Sequence, residues 1–278
     1  MAEIWYCPYA LIPRRALSAI AAAGPRHGAL IRVDGGYADI HPWPELGDAP
    51  LDEQLAGLAR GETTPLTAAS LRFAAIDAAA RREGRNVFDG LTIPPSHWPG
   101  ADPPSGFDTV KLKSIDVIPD RLRLRIDFND TLTPDEFVRI AATLPHERID
   151  FIEDPCPYDA ATWRTLRDRT GLRLALDRGS GAEEVDVLVV KPAVQEIPAT
   201  RAEVIITSYM DHPLGQLCAA YAAASAGITA TCGLVTHVLY ESTPFIERMR
   251  IDGSRLVPPT GTGFGFDDLL EGLPWRRI

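Results

Sequence analysis

Lysine is almost missing from this chain. Of 28 basic residues in 278, only Lys111, Lys113 and Lys191 are lysine. Everywhere else a positive charge is supplied by arginine, which stays protonated, whereas a desolvated lysine can lose its proton and act as a base. Lys111 and Lys113 stand two apart at the end of an apolar run, so a strand would put them on the same face. A solvated strand face would explain an ordinary Lys-x-Lys; in so lysine-poor a chain the pair points to chemistry.

Cysteine is scarce as well. Cys7, Cys156, Cys218 and Cys232 are scattered without a CxxC, which suits a reducing cytoplasm better than a disulfide framework. Positive charge is in deficit: the net charge of −10 argues against a nucleic-acid or anionic-membrane partner. It is compatible with carboxylates clustered around a divalent cation. Residues 214–240 lack any formal charge, but they are rich in Ala, Ser, Thr and Gly and contain Gln216, Gly227, Gly233 and His237. They suggest a buried helix and then a buried strand rather than a membrane span. Arg14-Arg15 followed by residues 16–24 is basic then apolar, yet mostly alanine and preceded by Glu3, so no signal peptide is expected. With 45% apolar and 24% charged residues, the expectation is a soluble, cytoplasmic globular protein.

Along the chain, residues 3–12 look like a strand, and 29–33 and 37–41 flank the turn Asp34-Gly35-Gly36. Residues 51–60 suggest a helix stopped by Gly61, and Thr67 is an N-cap candidate for a longer helix over 68–82. An α+β unit is therefore expected at the N-terminus, before a Pro-rich passage over 93–104. Apolar runs then recur at 109–113, 121–128, 149–152, 172–176, 185–190, 203–206 and 228–231, most ending in a polar or charged residue. Helices are expected at 134–144, 160–170 and 214–226. Strands alternating with helices imply a parallel sheet, and seven or eight such strands imply a (β/α) barrel. Functional residues of such a barrel stand at its C-terminal strand ends, where these charges fall. The Gly-rich residues 261–265 lack a following Lys-Ser/Thr and are expected to form a structural turn.

Asp127, Glu153 and Asp177 are spaced about one β/α unit apart, and on a barrel they would converge. Three close carboxylates repel unless a cation sits among them, and an all-oxygen site favours Mg²⁺, with Mn²⁺ also suitable. Lys111 and Lys113 would approach from one side and Lys191 from the other, their pKa values lowered by desolvation and by each other's charge. A lysine so tuned can take a proton from carbon beside a carboxylate while a metal stabilises the resulting anion.

Lys111-x-Lys113, Asp127-x-Asn129, Glu153-Asp154-Pro155, Asp177 and Lys191-Pro192, in this order, resemble the muconate-lactonizing branch of the enolase superfamily. Within it, residues 106–113, 189–192 and 207–215 are most similar to the o-succinylbenzoate synthase family. The resemblance implies a (β/α)7β-type TIM barrel over 91–246, with an α+β capping domain formed by 1–90 and 247–278. It implies Mg²⁺ on Asp127, Glu153 and Asp177, and a small-molecule carboxylate substrate. Lys113 would be the base and then the acid of a syn dehydration. Lys191 would stabilise the anion from the opposite face, partly as a cation over the ring, and Lys111 would hold Lys113 in its reactive form. Asn129, Thr207, Ser208 and Gly233 fall at substrate-contacting positions.

The spacing departs from that family. Only 14 residues separate Lys113 from Asp127, and 14 separate Asp177 from Lys191, too few for a helix with two loops. Roughly three or four outer helices should be trimmed, and the bare strand faces would call for cover by a second subunit. Arg178 stands where the family often has an acid, beside a metal ligand. An N-acylamino acid racemase or dipeptide epimerase would use the same motifs. A Schiff-base aldolase would need one buried lysine and no metal triad, and a retired barrel could serve as a binding module.

Overall fold

The computed structural model describes residues 3–17 and 24–278. Residues 18–23 of the basic-then-apolar stretch lie outside the described residues. The chain opens with strands β1 (Ile4–Leu11), β2 (Arg26–Val33) and β3 (Gly36–Ile40), paired antiparallel in that order. Val33 faces Gly36 across the second hairpin, and Asp34 and Gly35 between them have φ of 50° and 83°. Two positive φ values make the tight turn that matches strand twist, so Gly36 belongs to the strand and not to the turn. A Cβ on Gly36 would lie 1.9 Å from the Ala74 carbonyl oxygen. Only glycine lets the following helix pack this closely on β3.

Helices α1 (Leu51–Ala59) and α2 (Pro65–Arg82) cover the sheet. The expected N-cap at Thr67 moves to Thr64, with Thr67 completing a reciprocal capping box. Pro65 explains the shift, because its fixed φ and missing N–H suit the first helical position. The end of the chain returns to this unit. After the short helix α6 (Pro244–Glu247) and the hairpin β10 (Arg250–Asp252) and β11 (Arg255–Val257) come α7 (Asp267–Glu271) and β12 (Arg276–Arg277), which pairs with β1. Buried Asp77 on α2 joins the parts by accepting the N–H groups of Tyr37 and Phe264 and the Arg81 guanidinium. Such satisfaction is what makes a buried carboxylate tolerable. Residues 261–265 serve as a structural turn there, with Gly263 exchanging backbone bonds with Arg85 and Val87.

Between lies the barrel. Strands β4 (Thr109–Leu112), β5 (Arg123–Asp127), β6 (Ile149–Glu153), β7 (Leu174–Asp177), β8 (Val187–Val190) and β9 (Glu203–Ile206) run parallel in sequence order. Two shorter segments close the ring, through the parallel bridges Trp98–Val110, Ser96–Cys232 and Thr207–Gly233. The Pro-rich passage thus holds the first barrel strand, and the last lies at 232–233 instead of 228–231. Ile228 N–H still bonds to Ala223 O at the end of the preceding helix.

Three full outer helices flank the barrel: α3 (Pro134–Ala141), α4 (Ala160–Thr170) and α5 (Pro213–Ser225). The connections 99–108, 113–122, 178–186 and 191–202 have none. The strand faces they cross are nevertheless covered by the chain itself. Val110 and Leu112 belong to a core cluster against which Ile115, Ile118 and Leu122 pack, and Leu188 and Val190 to another against which Ala193, Val194 and Ile197 pack. All four cysteines are free and buried, and no described helix is long and apolar enough to cross a membrane.

Candidate active site

Strand periodicity decides which side chains enter the barrel. Phe151, Ala175, Val187, Val189 and Ile205 pack together inside it. Residues in phase with them toward the C-terminal ends are Glu153, Asp177, Lys191 and Thr207, and Lys111, Lys113 and Asp127 meet them there. The ring order puts β4 and β8 on opposite walls, with the strands bearing Asp127, Glu153 and Asp177 between them.

Lys111 Nζ lies 2.6 Å from Glu153 Oε1 and 3.0 Å from Asp127 Oδ2. Burial works against its charge, but Asp127, Glu153 and Asp177 outweigh burial and hold it more firmly protonated than an ordinary lysine. Lys113 is the contrasting case: its nearest carboxylate oxygen, Asp127 Oδ2, is 3.8 Å away. Burial lowers its pKa, the positive charges of Lys111 and Lys191 add to the effect, and Asp127 opposes it. One lysine is fixed as a cation and its neighbour is biased toward giving up its proton. Lys191 Nζ contacts Asp177 Oδ2.

Asp127, Glu153 and Asp154 are the acidic group, among the described residues, whose oxygens all approach within 4.8 Å of one another. Asp177, expected as the third acid, stands outside that close group. Its Oδ1 is nonetheless buried with no hydrogen-bond partner, which leaves a lone oxygen available to a cation. Burial and neighbouring acids raise the pKa values of Glu153 and Asp154. Crowded, buried, all-oxygen donors are what Mg²⁺ or Mn²⁺ takes, so these residues fit such an ion. Asp154 was given no role by the sequence, because alternation would turn it away from Glu153. Its positive φ of 43° breaks that alternation, and its Oδ1 accepts the Asp177 N–H at 3.0 Å.

Asn129 turns its amide onto Asp127 Oδ1. Thr207 Oγ1 is buried and unpartnered, and Ser208 Oγ bonds Thr236 Oγ1 at 2.6 Å. A Cβ on Gly233 would sit 2.8 Å from Thr207 Cγ2 and 2.9 Å from His97 Cε1. His97 also contacts Arg125 (Nδ1 to Nη1, 3.1 Å) and was missed as a barrel-lining residue because it lies in the Pro-rich passage. The cap reaches this end of the barrel: Trp43 Nε1 donates to Tyr209 O at 2.8 Å, and Tyr209 Oη to Asp48 at 3.0 Å. Arg178 extends to the cap and donates to Leu46 O at 3.2 Å, its Nε remaining 4.0 Å from Asp177.

A capped barrel with acids and lysines on its C-terminal rim is the architecture of the enolase superfamily. Solved structures share it. A dipeptide epimerase from Enterococcus faecalis V583 superposes with a TM-score of 0.74 at 14% identity, over 95% of this chain and 99% of that one. An enolase superfamily member from Listeria innocua Clip11262 gives 0.77 at 14% identity, over 100% and 98%. Residues 4–80 match the family model for the o-succinylbenzoate synthase N-terminal domain, and residues 87–196 the enolase C-terminal domain-like model. An o-succinylbenzoate synthase from Bdellovibrio bacteriovorus is 33% identical, over 100% of this chain and 99% of the relative. The chain belongs to the o-succinylbenzoate synthase family of that superfamily.

Proposed function

We propose that the protein catalyses the syn dehydration of 2-succinyl-6-hydroxy-2,4-cyclohexadiene-1-carboxylate to o-succinylbenzoate, a cytoplasmic step of menaquinone biosynthesis. The observation carrying this reading is the convergence of Lys111 and Lys113 with Asp127 and Glu153 on one rim of the barrel, opposite Lys191. Lys113 takes the proton from the carbon bearing the carboxylate. The same ammonium then returns it to the departing hydroxyl, so water leaves from the face that lost the proton and the ring becomes aromatic. Lys191 holds positive charge over the opposite face, and Lys111 keeps Lys113 from being captured by Asp127 and Glu153. Asp127, Glu153 and Asp177 would hold Mg²⁺ or Mn²⁺, with Asp154 supporting Asp177. When bound, that ion supplies the charge that makes so weak a carbon acid ionisable. Thr207, Ser208 and Gly233 line the side on which the succinyl arm would lie.

The test is to mix purified protein with the cyclohexadiene carboxylate and follow the diene absorbance, with Mg²⁺ and with EDTA. Metal-dependent decay is expected; no decay with folded, Mg²⁺-loaded protein overturns the reading. The facing placement of Lys113 and Lys191 also favours a second activity, racemisation of N-acylamino acids. It would appear as deuterium entering the α-position of both enantiomers in D₂O.

A further inference from the structure

Two buried carboxyl groups meet where the cap rests on the barrel. Asp39 comes from β3, and Asp211 from the turn between β9 and α5; they are 7% and 2% exposed. Both point at Gly215, where a Cβ would lie 2.6 Å from Asp39 Oδ2 and 2.6 Å from Asp211 Oδ2. Glycine at this position lets the two acids approach. Asp39 is partnered: Tyr9 Oη donates to its Oδ1 at 2.5 Å and the His212 N–H to its Oδ2 at 3.1 Å. Asp211 Oδ1 and His41 Nε2 are buried without partners. Asp39, His41, Asp211 and Gly215 line one small internal cavity.

No described ion pair reaches either acid. Arg26 of β2 pairs with Glu45, its Nε buried without a partner, and Arg72 of α2 pairs with Glu196. Asp77 of α2 is held by Arg81. The remaining titratable neighbours are Tyr9, His41, His212, Cys218 and Tyr240. Burial keeps both histidines neutral, at about 3, so neither offers a positive charge. Two adjacent carboxylates cannot both ionise in such a place without a cation.

We propose that Asp39 and Asp211 share a proton across the cap–barrel interface, and that this acid pair positions the loop carrying Thr207 and Ser208 beneath the cap. Its action on the loop does not depend on which substrate the loop binds. Burial pushes Asp211 up to about 7 and Asp39 well above the usual carboxylate range, with Asp211 adding to the latter. In the unfolded chain both would ionise near 4. The pair's contribution to stability therefore falls as pH rises from about 4 to about 7, because the folded form retains a proton that the unfolded form has lost.

The test needs no substrate. Protein labelled with ¹³C at the aspartate carboxyls is titrated by NMR, with Asp39→Asn and Asp211→Asn assigning the resonances. At least one of the two carboxyls is expected to titrate above pH 6. The melting temperature of Asp211→Asn relative to wild type should rise by about 3 °C or more between pH 5 and pH 8. Both carboxyls ionised below pH 5, or a difference that does not change with pH, overturns the proposal. So does a saturable shift of these resonances on adding Na⁺ or Ca²⁺, since a cation would then bridge the pair. Should Asp211→Asn not fold, the wild-type titration and Asp39→Asn decide.

Discussion

Asn129 donates twice to one oxygen: its backbone N–H reaches Asp127 Oδ1 at 3.0 Å, and its Nδ2 reaches the same atom at 2.7 Å. Asn129 has a φ of 50°, and an asparagine tolerates that left-handed geometry better than most residues. The contacts leave Asp127 Oδ2 to the lysines and fix the carboxylate's orientation. Asn129→Ala is therefore expected to weaken Mg²⁺ binding about 10- to 100-fold. Calorimetric titration of Mg²⁺ into the variant checks this, and unchanged affinity would show that Asp127 needs no such support.

Lys113→Ala should separate catalysis from folding. The Lys113 side chain is 35% exposed and makes no closer ion contact than 3.8 Å, so stability should change by no more than about 0.5 kcal/mol. Turnover of the cyclohexadiene carboxylate should fall by about 10² to 10⁴. Full turnover in the variant would show that Lys113 is not the base.

Lys111→Ala is expected to behave in the opposite way. It strips the cation from between Asp127 and Glu153, each with a side chain 3% exposed, and uncompensated buried charge costs about 3 kcal/mol. Added Mg²⁺ should restore part of that loss, as read from urea midpoints with and without the ion. For the wild type, saturation at about 100 times the dissociation constant should add about 2.7 kcal/mol, and EDTA should remove it.

His237 supplies an acid-side prediction. Burial lowers its pKa to about 4, and Gln216 satisfies it by pairing with the ring and with the His237 N–H. In the unfolded chain a histidine protonates near 6.5. The stability His237 confers is thus complete above about pH 6.5 and is lost as pH falls toward 4, by roughly 2 kcal/mol at pH 5. His237→Gln should flatten this part of the urea-midpoint profile relative to wild type; parallel profiles would mean the ring is already charged in the fold.

The three lysines, Asp127 and Glu153 were legible in the sequence because strand ends impose a regular spacing and chemistry restricts residue type. Asp154 was not, because its direction depends on a backbone φ that alternation does not anticipate. Ser96 to Trp98 escaped as a strand because proline on both sides suppresses the usual pattern, and closure there comes from single bridges to Val110 and Cys232. Trimming of the outer helices could be counted from chain length between charges. What replaces them could not, since Ile115, Ile118 and Leu122 fall at helical spacing while Pro119 stands among them; the segment forms no helix, and the three pack against the core cluster that holds Val110 and Leu112.

Replacing outer helices with short crossings also makes the barrel's flank a place where chain can be added. Val117, 66% exposed, sits midway along the crossing from β4 to β5. Doubling that crossing adds only about 0.6 kcal/mol of closure entropy. A grafted segment, or a reporter peptide, inserted at Val117 would thus lengthen the route between Lys113 and Asp127 while the strands that carry them keep their register.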